Sequence, residues 1–381
     1  MKGTWKAGSL VFVLALGACT AARPEDMADL GAADTAAAQE TMAPGAARRV
    51  ILIVGDGVGL AQWSLLRLAG TADLAVARLP EVGLVDTRCA CARTTDSGAA
   101  ATAYATATRT QYRFVGMAPD STPRETVLEA AEQRGLATGL VTTTHITDAT
   151  PAAFGAHVVS RYDHRTIAAQ LAEREIEVLL GGGYAYFARR PDGRDLVREL
   201  AARYRVVRTP AEFAALDVAD TERVLGLFAD STMYGEPGVR PPLPALARTA
   251  LAILERDPDG FFLLLESEDT DEVFHDTLSA AAALPALREL DATIAVALEF
   301  QARHPETLIV VIGDHETGGL AVHLPRETGA LTTMYTTTDH TAGMVPVFAG
   351  GPGAAGFGRW LTNEQVGALL FAAVGAPRAA R

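Results

Sequence analysis

Cysteine is scarce in this 381-residue sequence, which contains only three. Cys89 and Cys91 are one residue apart, and Cys19 lies near the N-terminus. Zinc-binding cysteine pairs are normally spaced more widely and come with two further ligands nearby. No disulfide framework can therefore be inferred, and we expect Cys89 and Cys91 either to be free or to form a strained local bridge.

Long apolar runs are also lacking, because after residue 20 no segment approaches the roughly eighteen apolar residues of a membrane-spanning helix. A shorter apolar run at residues 10–16 follows Lys2 and Lys6, which is the layout of a secretory signal peptide. The segment Leu16-Gly17-Ala18-Cys19 is similar to a bacterial lipobox. Residues 1–18 are therefore predicted to be a lipoprotein signal peptide, and Cys19 is predicted to be lipidated.

The predicted location follows from this N-terminus. An exported protein with a lipid on Cys19 would lie in the periplasm or cell envelope and would touch the membrane only through its lipid anchor. Thr20 stands where an inner-membrane retention signal usually has Asp, which favours the outer membrane. The alternative is an ordinary signal peptide with a chance cysteine.

Basic side chains are fewer than acidic ones, at 33 against 46, so the formal net charge is −13. Without residues 1–18, which contain two lysines and no acids, 31 basic and 46 acidic side chains remain, and the charge is −15. This balance argues against nucleic acid or an anionic membrane surface as a partner. A site for an anionic ligand in so acidic a chain needs local positive charge, and bound cations are the obvious source.

The chain is long enough for one large α/β domain or two medium ones, and with 49% apolar residues it is not a disordered protein. Residues 19–47 are rich in alanine and have no sustained apolar period, so we interpret them as a flexible tether. From residue 48 onward, short apolar runs alternate with segments of helical period, and residues 48–381 are predicted to form a single domain.

Short apolar runs alternate with longer segments of helical period throughout this domain. Strands are predicted at 50–54, 83–85, 138–142, 178–180, 224–228, 261–265, 308–312 and 345–349. Helices are predicted at 60–69, 124–133, 165–174, 243–256, 278–302 and 363–374. Because the predicted strands are apolar throughout, the pattern indicates an α/β fold with one large, mostly parallel sheet between two layers of helices.

Three predicted strands end at acidic residues: the first at Asp56, another at Glu266, and a third at Asp314, which is followed by His315. Ligands of open α/β sheets bind beyond the carboxyl ends of the strands, so these acids should converge on one edge. Convergence of that kind needs a cation.

The histidines and acids together form a set with metal-binding chemistry. Three imidazoles and three carboxylates are enough for two zinc ions with three protein ligands each, from Asp56, Asp271, His275, Asp314, His315 and His340. A second set offers only hard oxygens, which suits magnesium, from Asp148, Thr150 and Glu266.

Each of these motifs is ambiguous when taken singly. The turn Gly55-Asp56-Gly57-Val58-Gly59 could bind a dinucleotide, but its Asp would repel a pyrophosphate. Asp271 and His275 are four residues apart, which places both on one helix face, although such a pair is more often merely solvated.

Ser97 precedes a helix-favouring run at residues 99–107, which places its hydroxyl near a helix N-terminus. Backbone N–H groups and the helix dipole at such a terminus favour phosphate and a serine alkoxide. The alternative is that Ser97 only caps the helix.

The motifs together resemble those of the alkaline phosphatase family, in family order, over nearly all of residues 48–357. The matching segments are Val54-Gly55-Asp56-Gly57, Thr95-Asp96-Ser97-Gly98-Ala99-Ala100-Ala101-Thr102-Ala103, Asp148-Ala149-Thr150-Pro151-Ala152-Ala153 with His157 and Ser160-Arg161, Leu180-Gly181-Gly182-Gly183, Glu266 through His275, Gly313-Asp314-His315-Glu316-Thr317-Gly318-Gly319, and Thr338-Asp339-His340-Thr341.

The resemblance implies two Zn²⁺ ions and one Mg²⁺ ion. It implies a first zinc held by Asp271, His275 and His340, and a second held by Asp56, Asp314 and His315. It implies a magnesium ion bridged by Asp56, with Thr150, Glu266 and, through water, Asp148 in its shell.

The implied activity is hydrolysis of small phosphate monoesters through a phosphoserine at Ser97, with Arg161 as a second catalytic residue. Arg161 and Asp96 would contact the substrate. A phosphodiesterase of the same superfamily is the alternative, although diesterases usually have Thr as nucleophile and lack the arginine. Sulfatases are disfavoured because the context of Ser97 lacks their motif. A catalytically inactive surface protein that binds phosphate or metal is a further alternative, from a different class.

Two features depart from better-known family members. Glu272 stands where many relatives have Lys, His or Trp, and its acid could weaken phosphate binding or speed phosphate release. Only 24 residues separate His315 from His340, so the insertion that forms a crown in larger relatives must be a short loop, as in a short-crown bacterial form. A dimer contact through the crown is then in doubt, and a homodimer is left open.

Overall fold

A computed structural model describes residues 47–70, 73–235 and 238–381 of the chain. The predicted signal peptide, the lipidation of Cys19 and nearly all of the predicted tether lie outside the described residues and stay predictions. Within the described ranges, no helix combines the length and the apolar character that crossing a membrane requires.

Fourteen strands are assigned in the part of the chain that the structure describes. In chain order they are β1 (Arg49–Gly55), β2 (Glu81–Asp86), β3 (Ala137–His145), β4 (Val178–Gly182), β5 (Arg205–Val207), β6 (Val224–Leu227), β7 (Phe261–Ser267), β8 (Thr307–Ile312), β9 (Glu316–Thr317), β10 (Ala321–His323), β11 (Thr332–Met334), β12 (His340–Thr341), β13 (Val345–Gly350) and β14 (Trp360–Thr362).

Ten of these strands form one sheet, in the order β14-β2-β13-β8-β1-β7-β3-β4-β6-β5. Of these ten, β13 alone runs antiparallel to its neighbours. β1 lies at the centre, parallel to β7 on one side and to β8 on the other, with Val54 opposite both Glu266 and Ile312. The carboxyl ends of these three strands are therefore level, which positions the residues that follow them.

Twelve α-helices are assigned in the described residues. They are α1 (Leu60–Leu68), α2 (Ser97–Thr106), α3 (Val127–Glu132), α4 (Ala149–Gly155), α5 (His164–Glu173), α6 (Tyr184–Ala188), α7 (Leu196–Leu200), α8 (Pro210–Ala214), α9 (Leu243–Leu254), α10 (Asp269–Asp276), α11 (Ala280–Arg303) and α12 (Asn363–Ala373).

The sheet has an apolar core on each face. In β1, Val50 and Leu52 pack into one core with α2, α4 and α12, whereas Ile51 and Ile53 pack into the other with α1, α9 and α11. Both sets of side chains are buried because successive residues of a strand point to opposite faces. Each fully buried aliphatic side chain contributes about 1.5–3 kcal/mol, so the centre of the sheet is a rigid support.

The predicted architecture is confirmed: a large, mostly parallel sheet lies between helices, and all eight predicted strands are present. The sequence analysis missed the two edge strands, β5 and β14, which are three residues long and only partly buried. It also missed short helices such as α4, α6 and α7, whose five to seven residues give too little periodicity to detect.

The two cysteines of the domain are free, which decides between the two expectations for them. The Sγ atoms of Cys89 and Cys91 are 3.1 Å apart and are not covalently bonded. Burial of Cys89 raises the pKa of its thiol to about 11. Its thiol therefore stays protonated and unreactive near neutral pH.

The segment between His315 and His340 is short, in agreement with the expectation of a reduced crown. It contains one antiparallel hairpin, formed by β10 and β11. β9 and β12, which border the hairpin, pair with each other and bring His340 opposite Thr317. This pairing brings the two ends of the segment to the same edge of the main sheet.

Candidate metal centre and its serine

The carboxyl edge of the sheet collects the acids that follow β1, β7 and β8, as the sequence predicts. Asp56 is fixed by its backbone N–H, which donates to Ser267 O over 3.1 Å. Gly57 has φ +68°, and a Cβ at this position would lie 2.6 Å from Asp271 Oδ1. Glycine is thus required on both conformational and steric grounds, because the turn brings the backbone against a site carboxylate.

Asp56, Asp314 and His315 form the first of three groups with metal-ligand geometry, and their ligand atoms lie within 4.8 Å of one another. His315 Nε2 is 3.3 Å from both Asp56 Oδ1 and Asp314 Oδ2. All three side chains are fully buried, yet Asp314 Oδ2 and both carboxylate oxygens of Asp56 have no hydrogen-bond partner. Uncompensated buried carboxylates are costly, so this group fits a cation.

The pKa values of the carboxyls in this group are raised, because the carboxylates are buried next to one another without a neutralising positive charge. Burial, reinforced by the charge of Asp314, raises the pKa of Asp56 well above its ordinary value. Burial and the charge of Asp271 raise the pKa of Asp314 to about 6. Burial also lowers the pKa of His315, which keeps its imidazole neutral, as a metal ligand must be.

A second group consists of Asp271, His315 and His340. His275, predicted in place of His315 here, lies next to this group, with Nε2 3.1 Å from Asp271 Oδ2. The hydrogen bond to Asp271 raises the pKa of His275 to about 9. Burial alone would raise the pKa of Asp271, but His275, His315 and His340 together lower it below its ordinary value.

The three histidines are oriented in the same way. Nδ1 lies 2.9 Å from Thr95 O in His340, 2.6 Å from Thr338 O in His275, and 3.1 Å from Thr317 Oγ1 in His315. With Nδ1 held by these oxygens, Nε2 is the nitrogen that each ring turns toward the site carboxylates and offers to a cation. This arrangement is typical of metal-ligating histidines, whose second nitrogen is held by a neighbouring oxygen.

The third group contains only carboxylates: Asp56, Glu266 and Glu268. Thr142 donates to Glu266 Oε2 over 2.6 Å, while Glu266 Oε1 and Thr150 Oγ1 are buried without a hydrogen-bond partner. Burial raises the pKa of Glu266 to about 8 and that of Glu268 well above its ordinary value. Such a set of hard oxygens fits magnesium.

The sequence analysis missed Glu268. Its signal was the spacing of Glu266 and Glu268, since residues two apart at the end of a strand point to the same face. Asp148, which was predicted to reach this cation through water, also pairs with Arg161, whose Nη2 is 3.1 Å from Asp148 Oδ1.

Ser97 is the first residue of α2, and the cap of that helix is Asp96, whose carboxylate accepts from Ala99 N over 3.2 Å. The alternative that Ser97 only caps the helix is therefore wrong. Ser97 Oγ lies 3.3 Å from His315 Nε2 and 3.3 Å from Arg161 Nη1. The hydroxyl thus stands between the metal-ligand groups and a guanidinium.

Arg161 is held between two carboxylates. Its Nη1 lies 3.4 Å from Asp96 Oδ2, and its Nη2 bonds to Asp148. Burial would lower the pKa of Arg161, but Asp148 and Asp96 outweigh it and raise the pKa above its ordinary value. The guanidinium is therefore always charged and is fixed beside Ser97.

These residues border an open cleft of about 390 Å³. The cleft is lined by Asp96, Ser97, Tyr112, Arg113, His145, Asp148, Arg161, Tyr162, His164, Glu268, Asp271, Glu272, His275, Asp339 and His340. Asp56, Thr150, Glu266, Asp314 and His315 are buried beside it. Every predicted site residue except Cys19, which lies outside the described residues, is thus brought to one place.

Fold and site together define a class of protein. The chain is an α/β protein in which mixed histidine and carboxylate groups with metal-ligand geometry, at the edge of a mostly parallel sheet, face a serine at a helix N-terminus.

The chain belongs to the alkaline phosphatase family, whose sequence model matches residues 47–334. It is 33% identical to alkaline phosphatase 3 of Bacillus subtilis over 72% of this chain and 62% of that protein. It is 32% identical to streptomycin-6-phosphate phosphatase of Streptomyces griseus over 83% of this chain and 88% of that protein.

A solved structure has the same fold. Alkaline phosphatase from the Antarctic bacterium TAB5 superimposes with a TM-score of 0.82 at 28% identity, over 88% of this chain and 99% of that one. The chain nevertheless spans only 50–62% of the length of several curated relatives that it matches.

Proposed function

We propose that this protein hydrolyses small phosphate monoesters through a phosphoserine formed at Ser97, releasing inorganic phosphate and an alcohol. The observation that carries the proposal is the position of Ser97 Oγ, 3.3 Å from both the imidazole of His315, which belongs to two groups with metal-ligand geometry, and the partly buried guanidinium of Arg161. A protein that only binds metal or phosphate has no need for a hydroxyl in this position.

Two zinc ions are proposed for the histidine-containing groups. Three imidazoles and several carboxylates match the ligand chemistry of zinc, and the groups share His315, so two ions would be neighbours. When bound, such cations lower the pKa of the serine hydroxyl and of the hydrolytic water and stabilise the departing oxygen.

One magnesium ion is proposed for the carboxylate group of Asp56, Glu266 and Glu268, with Thr150 and Asp148 close by. The unpartnered oxygens of Asp56, Glu266 and Thr150 support this assignment. A variant of TAB5 alkaline phosphatase in which a histidine is replaced by aspartate has Mg bound in its M3 site. In that relative, magnesium is thus bound when an aspartate replaces the histidine, which supports magnesium as the cation near Asp148.

The chain's own residues orient the phosphate for attack. The planar fork of Arg161 can donate to two phosphoryl oxygens at once, a geometry that lysine cannot match. Asp96 and Asp148 fix the fork, so little orientational freedom is lost when the substrate binds. The N-terminus of α2 adds a favourable field for the anionic phosphate at Ser97.

A phosphodiesterase is the alternative function, and a comparison of p-nitrophenyl phosphate with bis-p-nitrophenyl phosphate tests it. We expect kcat/KM to be at least about tenfold higher for the monoester, because it offers more free oxygens to Arg161 than a diester does. Arg161→Lys should lower monoester turnover more than diester turnover. Faster cleavage of the diester by the wild-type protein would refute the assignment.

A further inference from the structure

Three residues on one side of the cleft form what we name the tyrosine–arginine rim: Tyr112, Arg113 and Tyr162. All three line the cleft that contains Ser97. Tyr112 and Tyr162 are 40% and 60% exposed. The guanidinium carbon of Arg113 lies 5.7 Å from the ring centroid of Tyr112 and 5.3 Å from that of Tyr162. The rim therefore offers adjacent flat, polarisable surfaces to whatever enters the cleft.

The backbone fixes the rim to the phosphate-binding residues. Arg113 N donates to Asp96 Oδ1 over 2.9 Å, and Arg161 N donates to Arg113 O over 2.9 Å. Tyr162 follows Arg161 directly in the chain. A ligand whose phosphate lies between Ser97 and Arg161 would thus have the rim immediately beside it.

Arg113 is an unexpected residue for its backbone conformation. Its φ is +68°, in the left-handed region that favours glycine. No carboxylate of the described residues forms an ion pair with it. Strain of this kind clusters at functional positions, and here it occurs at a residue whose guanidinium contacts both rim tyrosines.

The rim also extends toward the histidine side of the cleft. Burial raises the pKa of Tyr112, and the nearby carboxylates of Asp96 and Asp339 raise it further. Asp339 directly precedes His340, a member of the second metal-ligand group. Tyr112 lines the same cleft as Ser97 and His340.

We propose that the tyrosine–arginine rim binds the leaving group and favours alcohols that carry a planar aromatic ring, such as nucleosides. The inference rests on the proposed function and names its substrate class. Aromatic rings and guanidinium planes stack on bases without hydrogen-bond readout. Glu272 and Asp339 line the same cleft and would repel a second anionic group, so the favoured leaving group is neutral.

The test compares adenosine 5′-monophosphate with ribose 5-phosphate, which share the same primary alcohol and differ in the base. We expect the wild-type protein to prefer the nucleotide roughly tenfold in kcat/KM, the factor that one stacked base provides. Tyr112→Ala, Tyr162→Ala and Arg113→Gly should each reduce this preference to within about threefold and leave ribose 5-phosphate turnover nearly unchanged. Glycine is chosen at position 113 because it adopts the observed φ without strain.

Tyr184→Ala is the matched control. Tyr184 also contacts arginines, with the Arg208 guanidinium carbon 3.3 Å from its ring centroid, but it does not line the cleft. This variant should keep the wild-type preference. A wild-type ratio near one, or rim variants that lower both substrates equally, would overturn the proposal.

A binding measurement separates this inference from the proposed function. Ser97→Ala protein should still bind adenosine 5′-monophosphate roughly tenfold more tightly than ribose 5-phosphate in calorimetry, because the rim is intact. If no monoester is turned over but this difference in affinity is found, the proposed activity fails and the subsite stands. Equal affinities would reject the subsite.

Discussion

Glu268 is a buried carboxylate that directly follows β7. It joins Asp56 and Glu266 in a buried group of three carboxylates, whereas Asp148 is engaged by Arg161. Three negative charges in one buried group repel each other unless a cation lies among them. We therefore expect Glu268 to contribute directly to retention of the hard cation.

Glu268→Gln tests this role, because glutamine keeps the shape of the side chain and removes its charge. Magnesium affinity, measured by calorimetry on the zinc-loaded protein, should fall at least about tenfold, and bound magnesium should fall in elemental analysis. Glu272→Gln, which changes a residue that lines the same cleft but is outside the group, should bind magnesium like the wild type. Unchanged affinity in Glu268→Gln, or an equal loss in both variants, would contradict the assignment.

Glu272 itself has a defined environment. It lines the cleft, and burial together with the charges of Asp271 and Asp148 raises its pKa. Its carboxyl is thus close enough to the site to influence a bound phosphate. Both effects considered for it, weaker phosphate binding and faster phosphate release, follow from the same repulsion.

At the scale of elements, a polar cluster ties α3 to the segments that follow α4 and α5. Glu129 of α3 accepts from Thr126 N over 2.7 Å, contacts His157 Nε2 at 3.0 Å, and pairs with Arg174. Burial alone would raise the pKa of Glu129, but these partners lower it to about 2. Burial would lower the pKa of His157, but Glu129 raises it.

The sign of the pH dependence follows from these shifts. The contribution of Glu129 is present above its unfolded pKa of 4.5 and is lost as the pH falls toward 2. The contribution of His157 is present below its unfolded pKa of 6.5 and is lost as the pH rises through its higher folded pKa. The cluster should therefore stabilise the protein most between these two unfolded values.

Glu129→Gln should accordingly cost about 1–2 kcal/mol of unfolding free energy at pH 5.5 and less at pH 8.5. Urea unfolding in the presence of a chelator measures this without a contribution from metal release. Glu132→Gln is the control, because burial raises the pKa of Glu132 to about 7. That substitution should be nearly neutral at pH 5.5 and stabilising at pH 8.5. No loss of stability in Glu129→Gln at pH 5.5, or a loss in Glu132→Gln at either pH, would contradict the account.

Elements with a strong apolar pattern could be predicted from the sequence. β1 and β7 are continuous apolar runs buried on both faces, and α11 spans 24 residues with a clear helical period. The short edge strand β5 and helix α6 could not, because three to five residues show no period and are held by tertiary contacts. α3 begins at Val127 rather than at residue 124 because Thr126 forms a capping box with Glu129.

At the scale of the whole molecule, the parallel sheet explains why the site could be anticipated. Residues more than 200 positions apart, such as Asp56 and Asp314, meet because β1 and β8 are parallel neighbours in register. Acids after strands therefore predict convergence, whereas contacts made by side chains within the site are not encoded in spacing. The pairing of Asp148 with Arg161 is of this second kind.

The central claim is that Ser97 becomes covalently phosphorylated during turnover. Acid quenching during hydrolysis of a monoester, followed by trypsin digestion, should give a phosphorylated peptide of residues 94–109, with fragmentation placing the phosphate on Ser97. The Ser97→Ala protein should retain its zinc, give no such peptide and show no turnover. Turnover without covalent phosphate on Ser97, or wild-type activity in Ser97→Ala, would contradict the account.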